Sequence, residues 1–550
     1  MGLLIDDEER SMKETDVFPA DVTSMFRLVE RSKDLYGDAI YMIPTEQGLE
    51  NVSFRDLHAF TLRFAEWLDE QGVAIGDGVA SVFHNSTLAA LLFVASIAAK
   101  RVYVPLNPKM GEAEVSHILR QTKPSITIPH AEFAARIQTV ENTGKVVPVP
   151  NEVAFVKEIL ARPLKGAPIA DLGAEDFDRP AEVVFTSGST GLPKGAVLTH
   201  RNLLRNSFGM AASFGFHDGS RFLTACPLFH NSGQLFTTLT ALWCGGLHVS
   251  VRSDFAMLRF WNLVDQYELE WTLVMNAFLA LLVQRPEKPK KGTMKGILSG
   301  GSKLKLDLVD SFEAKFGVPV FQCFGLTETT SISTTERPDR SEKGRGSAGK
   351  PLPGCKIRVV MDGKDMPRGQ EGEILIAGEH LFSHYINLPE VTAEKLRDGW
   401  LHTGDLGYMD EEDNVFIVDR LDSMVHVGGE NVYPSEIENL STLLDGVEDV
   451  VVTSLPDKIL GAELVLVYKA QEGKTVNPAS WTETFVQHLS TFKIPKRRVA
   501  VEELGLDAIP RAANGKLLRA KIKEAVNAKF APAAAPSPAP APAKSPAAPA

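Results

Sequence analysis

Between positions 57 and 68 apolar residues recur at helical spacing (Leu57, Phe60, Leu62, Phe64, Leu68), which predicts an amphipathic helix. The period then changes. Residues 79–83 predict a strand, residues 88–100 a nearly all-apolar helix, and the run RVYVPLN a second short strand. Repeated alternation of this kind predicts an α/β fold, a large N-terminal domain in which helices cover layered, mostly parallel sheets. At 550 residues the chain exceeds what one hydrophobic core supports, so at least two folding units are expected. Residues 416–419 predict another strand, and Leu421, Asp422 and Ser423 form a polar break. Beyond it, VEDVVVTSL and AELVLVYKA read as strands of a small α+β unit of about a hundred residues, long enough to fold by itself. After Phe530 the chain is almost only Ala and Pro, which buries nothing and stays extended. It reads either as a disordered tail or as a linker to a further domain such as a carrier protein.

The segment TSGSTGLPKG, residues 186–195, follows the apolar run AEVVF and gathers hydroxyls, glycines and a lysine in one loop. Glycines let backbone N–H groups surround an anion, hydroxyls add donors, and Lys194 adds a positive charge, a combination suited to a nucleoside triphosphate. The spacing departs from the Walker A pattern, because Pro193, Lys194 and Gly195 lead into the apolar run AVLT. The loop is therefore expected to join two strands. A plain Gly/Ser hairpin turn is the alternative reading.

This loop resembles the signature of the adenylate-forming superfamily, which comprises acyl- and aryl-CoA synthetases, peptide-synthetase adenylation domains and luciferases. Three further segments match that family in order: QCFGLTETT at 322–330, WLHTGDLGYMDEEDNVFIVDR at 400–420, and IPRAANGK at 509–516. The resemblance covers roughly residues 20 to 530. It implies a large domain over 1–421, a small mobile lid domain over 422–531 hinged at Asp422, and a tail or linker over 532–550.

The implied chemistry begins with attack of a carboxylate on the α-phosphate of ATP, forming an acyl adenylate and releasing pyrophosphate. By resemblance, Thr186, Ser187, Gly188, Ser189, Thr190, Gly191 and Lys194 hold the triphosphate. Glu328 is the implied Mg²⁺ ligand, and Thr327 donates to the α-phosphate. A helix-capping Thr-Glu pair is the bland alternative. Gly301, Ser302, Cys323, Phe324 and Gly325 line the nucleotide site, and Asp405 and Arg420 contact the ribose region. Lys516, in a turn-rich stretch before a C-terminal helix, is the implied catalytic lysine on the small domain. When that domain turns, HVGGENVYP should arrive in its place, with Gly428 and Gly429 lining the path of coenzyme A.

The acid side is less specific. PLFHNSGQLF lacks the carboxylate expected beyond this point in amino-acid adenylation domains, and His230 matches an aromatic or histidine gate in CoA synthetases; a core histidine is the alternative. Asn231, Ser232, Met275, Asn276 and Gly300, with Gly301, Cys323 and Phe324, form the expected acid pocket. A monocarboxylic acid, aliphatic of short to medium length or carrying a ring, fits it best. Three functions follow: an acid:CoA ligase using ATP, Mg²⁺ and coenzyme A, an acyl-AMP ligase loading a carrier protein, or a silent binding protein that has kept the fold.

Composition is that of an ordinary globular protein, with 44% apolar and 23% charged residues. A net charge of −12, with no Lys/Arg cluster, argues against nucleic acid as a partner. The spacing of Cys226, Cys244, Cys323 and Cys355 fits no zinc pattern or disulfide framework. The acidic N-terminus is not a secretory signal, and the longest apolar segment, residues 88–99, falls short of the ~20 residues a membrane helix needs. A cytoplasmic enzyme with no integral membrane association is expected.

Overall fold

The computed structural model describes residues 12–13, 15–166, 176–186, 193–301, 304–423, 425–427, 430–457, 460–511 and 517–530, the side chains of 422, 426, 430, 431 and 461 excepted. The described residues fall into two compact units, a large one that runs to Asp422 and also takes in Arg511, and a small one of residues 423–510 and 517–530.

In the large unit the predicted amphipathic helix is Phe54–Glu70. The Ser53 hydroxyl accepts from the Asp56 N–H, and the Asp56 carboxylate accepts from the Ser53 N–H, a reciprocal cap that sets the helix start. Its Leu57, Phe60, Phe64 and Leu68 are fully buried. The apolar helix Thr87–Ala98 is buried at every position and packs against strands of two different sheets. That explains why its sequence shows no polar face.

Among the described residues the large unit has three sheets. In a seven-stranded sheet, Val102–Leu106, Gly78–Val82, Ile126–Pro129 and Lys145–Val146 are parallel, whereas Pro180–Thr186 and Lys194–Thr199 form an antiparallel hairpin. A nine-stranded sheet carries the parallel series Val320–Phe324, Gly296–Gly300, Trp271–Met275 and Arg221–Thr224. The third sheet departs from the expected parallel arrangement. Its strands, among them Lys356–Met361, Gly372–Ala377, Trp400–Met409 and Val415–Arg420, are antiparallel, the last two joined by a short turn. Another turn is Asp362-Gly363, both residues at positive φ (51° and 75°), the conformation that matches the twist of a two-residue hairpin. No helix among the described residues is long and apolar enough to cross a membrane.

In the small unit the two predicted strands are Val447–Asp457 and Gly461–Ala470, antiparallel, with Arg497–Ala500 parallel to the second. Side chains alternate between the faces. Val450, Val452, Leu464 and Leu466 pack with Trp481 and Phe485 on one side. Val451, Val465 and Val467 pack with Val499, Ile522 and Val526 of the helix Arg519–Phe530 on the other. Each face needs its own helix to be covered, which makes this unit α+β.

Candidate active site

The hairpin Pro180–Thr186/Lys194–Thr199 pairs Thr186 with Lys194 at its open end, so the glycine- and hydroxyl-rich loop connects two antiparallel strands, as expected. Thr186 Oγ1 donates to the Lys194 carbonyl at 3.4 Å. Ser187, Gly188, Ser189, Thr190 and Gly191 lie outside the described residues. At Gly195 an added Cβ would stand 2.8 Å from both Ile386 Cγ2 and the Phe185 ring, so this strand has no room for a larger residue.

Lys194 leads to a residue that sequence reasoning missed. Its ammonium lies 5.8 Å above the ring of Tyr385, whose own strand, His384–Tyr385, pairs with Lys194–Thr199. The Tyr385 hydroxyl donates to Glu328 Oε1 at 2.5 Å. Burial, reinforced by the Glu328 charge, pushes the phenol far above its usual range, so it stays a donor. The Glu328 backbone is held as well, its carbonyl accepting from the Phe382 N–H at 2.8 Å. Thr327 and Glu328 sit in a single 3₁₀ turn, Thr327–Thr329.

The expected acid and nucleotide residues collect at the carboxyl ends of three adjacent parallel strands, Trp271–Met275, Gly296–Gly300 and Val320–Phe324. Ligands of open α/β sheets bind at such ends. Met275 pairs with Gly300. Ser299 Oγ donates to Asn276 Oδ1 at 2.8 Å, and the Cys323 thiol to the Ser299 carbonyl at 3.5 Å. Glycine is required at two positions here, just past one strand and at the end of another. A Cβ on Gly325 would lie 1.7 Å from the Ser331 carbonyl oxygen, and one on Gly300 would lie 2.7 Å from Cys323 Sγ. Gly301, at φ +84°, faces the Met275 sulfur; Phe324 is partly buried, and Ser302 lies outside the described residues.

His230 precedes a one-turn helix, Asn231–Gly233, that runs into a π-helical stretch, Gln234–Leu239, an irregularity common at functional sites. Its ring contacts Phe229, and apolar surroundings lower its pKa to about 4, so the imidazole is neutral at pH 7. Ser232 is partly exposed beside it. Asn231 is buried. Its Nδ2 donates to Glu182 Oε2 and Gln234 Oε1, both at 3.3 Å, inside the core.

Asp405 and Arg420 face each other across the antiparallel pair Trp400–Met409/Val415–Arg420. Arg420 Nη1 donates to Asp405 Oδ1 and to the Thr403 carbonyl, both at 3.1 Å. The Arg420 charge opposes in part the upward shift of the Tyr385 phenol. Asp422 lies in the 3₁₀ turn Leu421–Ser423 that ends the large unit. In the small unit, Val425–Val427 and Glu430–Val432 form a hairpin around Gly428 and Gly429. Those two glycines, Lys516 and residues 531–550 lie outside the described residues.

The four cysteines are free, and burial raises the three thiols of Cys226, Cys244 and Cys323 to about 12, so they are inert. Among the described residues no group of three or more His, Cys, Asp or Glu side chains is placed to hold a metal ion. The donor set at Glu328 is one carboxylate, which suits a hard cation whose other ligands are phosphate oxygens and water.

The model of the AMP-binding enzyme family matches residues 29–386. The 2-succinylbenzoate–CoA ligase of Geobacillus sp. (strain WCH70) is 30% identical over 490 residues, covering 88% of this chain and 94% of that protein. The fatty acid–acyl-carrier-protein ligase ScoC of Streptomyces coeruleorubidus is 30% identical over 485 residues, covering 86% and 91%. Among solved structures, the O-succinylbenzoate coenzyme A synthetase of Bacillus subtilis in complex with ATP and magnesium ion has a TM-score of 0.78 at 28% identity, covering 90% of this chain and 99% of that one. The matched segment contains the Thr186–Lys194 hairpin, His230 and Glu328, and the chain belongs to the AMP-binding enzyme family.

Proposed function

We propose that this protein is an ATP-dependent carboxylic acid:CoA ligase that activates a monocarboxylic acid as its acyl adenylate and transfers the acyl group to coenzyme A. The observation that carries the reading is the chain Lys194, Tyr385 and Glu328 where the hairpin leads into the glycine-rich loop, a cation and a carboxylate joined through one phenol.

Two repulsions oppose the first half-reaction: the acid carboxylate against the triphosphate, and the negative charge that grows on the α-phosphate. Lys194 and Thr186, with the loop between them, hold the β- and γ-phosphates and screen the first. A magnesium ion on Glu328 would neutralise phosphate charge when bound. Tyr385 fixes the Glu328 rotamer, Thr327 donates to the α-phosphate, and Asp405 accepts from the ribose hydroxyls while Arg420 orients it. His230, neutral, separates acid from thiol without adding charge.

For the second half-reaction the proposal divides the chain at Asp422 into a large domain, a lid domain of residues 422–531 and a tail or linker from 532. Lys516 serves adenylation, and the hairpin bearing Gly428 and Gly429 serves thiolation after the lid turns. The likeness to ScoC keeps transfer to a carrier-protein phosphopantetheine as a second reading. A pyrophosphate-release screen over fatty, cyclic, aromatic and hydroxylated acids, with and without coenzyme A, tests both. The proposal expects acid-dependent release and a CoA thioester. Release that yields thioester only on a phosphopantetheinylated carrier would favour the second reading.

A further inference from the structure

Glu182 is a carboxylic acid in the middle of an apolar strand, Pro180–Thr186, and it is fully buried. Along that strand Val183 and Phe185 face one core cluster while Val184 faces the other, so Glu182 points into the core on the same side as Val184 and Thr186. Two side chains meet it there. Gln234 Nε2 donates to Glu182 Oε1 at 2.7 Å and to the Leu228 carbonyl at 2.8 Å, and Asn231 Nδ2 donates to Glu182 Oε2 at 3.3 Å. Leu228, Asn231 and Gln234 bracket His230. From the other side Asn85 clasps the same segment, accepting from the Leu228 N–H at 2.8 Å and donating to the Cys226 carbonyl at 2.7 Å. A carboxyl costs more to bury than the apolar residue its strand neighbours would predict, and here it is spent on two amides that belong to the gate.

We propose that Glu182 is a positioning residue: through Gln234 and Asn231 it fastens the turn that carries His230 to the strand that ends at the triphosphate loop, so that gate and phosphate site keep one registration. The proposal rests on the adenylation reading above. Its electrostatics are consistent with this role. Burial raises the Glu182 carboxyl to about 8, so at pH 7 it is the neutral acid, able to sit in the core without a counter-ion. Facing it are Tyr103 from the neighbouring parallel strand, Leu198 from the hairpin partner, and Asn231 and Gln234 from the gate. Of these only Tyr103 titrates, and burial, opposed in part by its bond to Ser81, holds it protonated beyond the range of interest. Ionisation of Glu182 above pH 8 strengthens both amide bonds, so the gate stays fastened through that range.

The test compares wild type with Glu182→Gln, which keeps shape but puts an N–H donor in place of one of the two accepting oxygens, and Glu182→Leu, which keeps size only. Acid KM and kcat are read from pyrophosphate release across pH 6.5–9.5, with ATP affinity measured calorimetrically as a check on folding. Expected results are a wild-type acid KM that does not rise across this range, and at least a tenfold higher acid KM in Glu182→Leu with ATP affinity within about threefold of wild type. A wild-type acid KM in Glu182→Leu would overturn the proposal. Histidine-selective NMR separates this from the functional reading. If no acid is turned over, a shifted His230 resonance in Glu182→Leu (or Gln234→Leu, should the former not fold) still supports the positioning role, and an unmoved one refutes it.

Discussion

Tyr385 shows what a single side chain adds to this site. A lone tyrosine in SHYINLPEVT carries no sequence signal, because its importance comes from a strand pairing that brings it between Lys194 and Glu328, 191 and 57 positions away. Thr186 and Lys194 stand out in the sequence through the hydroxyls and glycines around them, whereas Glu328, Asp405 and Arg420 are singled out only by motifs that match the family. Nothing in PLFHNSGQLF announces that a buried Glu182 lies across the core to accept from Asn231. Removing the Tyr385 hydroxyl frees the Glu328 carboxylate to leave its rotamer. Tyr385→Phe should therefore weaken the Mg²⁺ dependence of pyrophosphate release about tenfold, with thermal stability nearly unchanged. A Mg²⁺ titration at fixed ATP reads this directly, and an unaltered titration would mean that Glu328 is held by its backbone alone.

At the scale of elements, the helices Phe54–Glu70 and Thr87–Ala98 and the strands around them followed from apolar spacing, because burial on one face or all round leaves a clear pattern. The antiparallel third sheet did not. Its Asp362-Gly363 turn is a hairpin signal that was present in the sequence, but the strands it joins are only partly buried and alternate weakly. Junctions between elements depend on protonation states. The helix Met25–Tyr36 meets the helix His200–Phe214 where the Met25 N–H donates to His200 Nδ1 at 3.1 Å, which requires a neutral ring. Burial lowers the His200 pKa to about 3, below the ~6.5 of an unfolded histidine. The unfolded chain therefore takes up the proton first. The stability contributed by this group is complete above pH 6.5 and is lost as pH falls through the folded value. Urea midpoints measured from pH 7.5 to 4 should decline, and should decline less for His200→Asn. Parallel declines would place the acid sensitivity elsewhere.

At the scale of the whole molecule, the proposal assigns two half-reactions to one centre and separates them by which part of the small domain is present. Lys516→Ala is expected to cut adenylation at least ~100-fold while thioesterification of a supplied acyl adenylate stays within about threefold. Single-turnover assays of each half-reaction would show the split, and equal losses in both would contradict an exchange of roles. The small unit supports such independence in its construction, since its sheet is covered on both faces by its own helices, Trp481–His488 and Arg519–Phe530. The break near Asp422 was visible as a polar interruption between two strand-forming stretches, whereas the identity of the acid depends on pocket shape, which no local pattern encodes.

The central claim is that a carboxylate oxygen attacks the α-phosphate and leaves with AMP. It is tested most directly by supplying an active acid labelled with ¹⁸O in its carboxyl group and analysing the AMP by mass spectrometry after turnover with coenzyme A. The expected result is one ¹⁸O atom in each AMP formed and none in pyrophosphate. Unlabelled AMP, with ¹⁸O recovered in pyrophosphate or phosphate, would contradict the acyl-adenylate route.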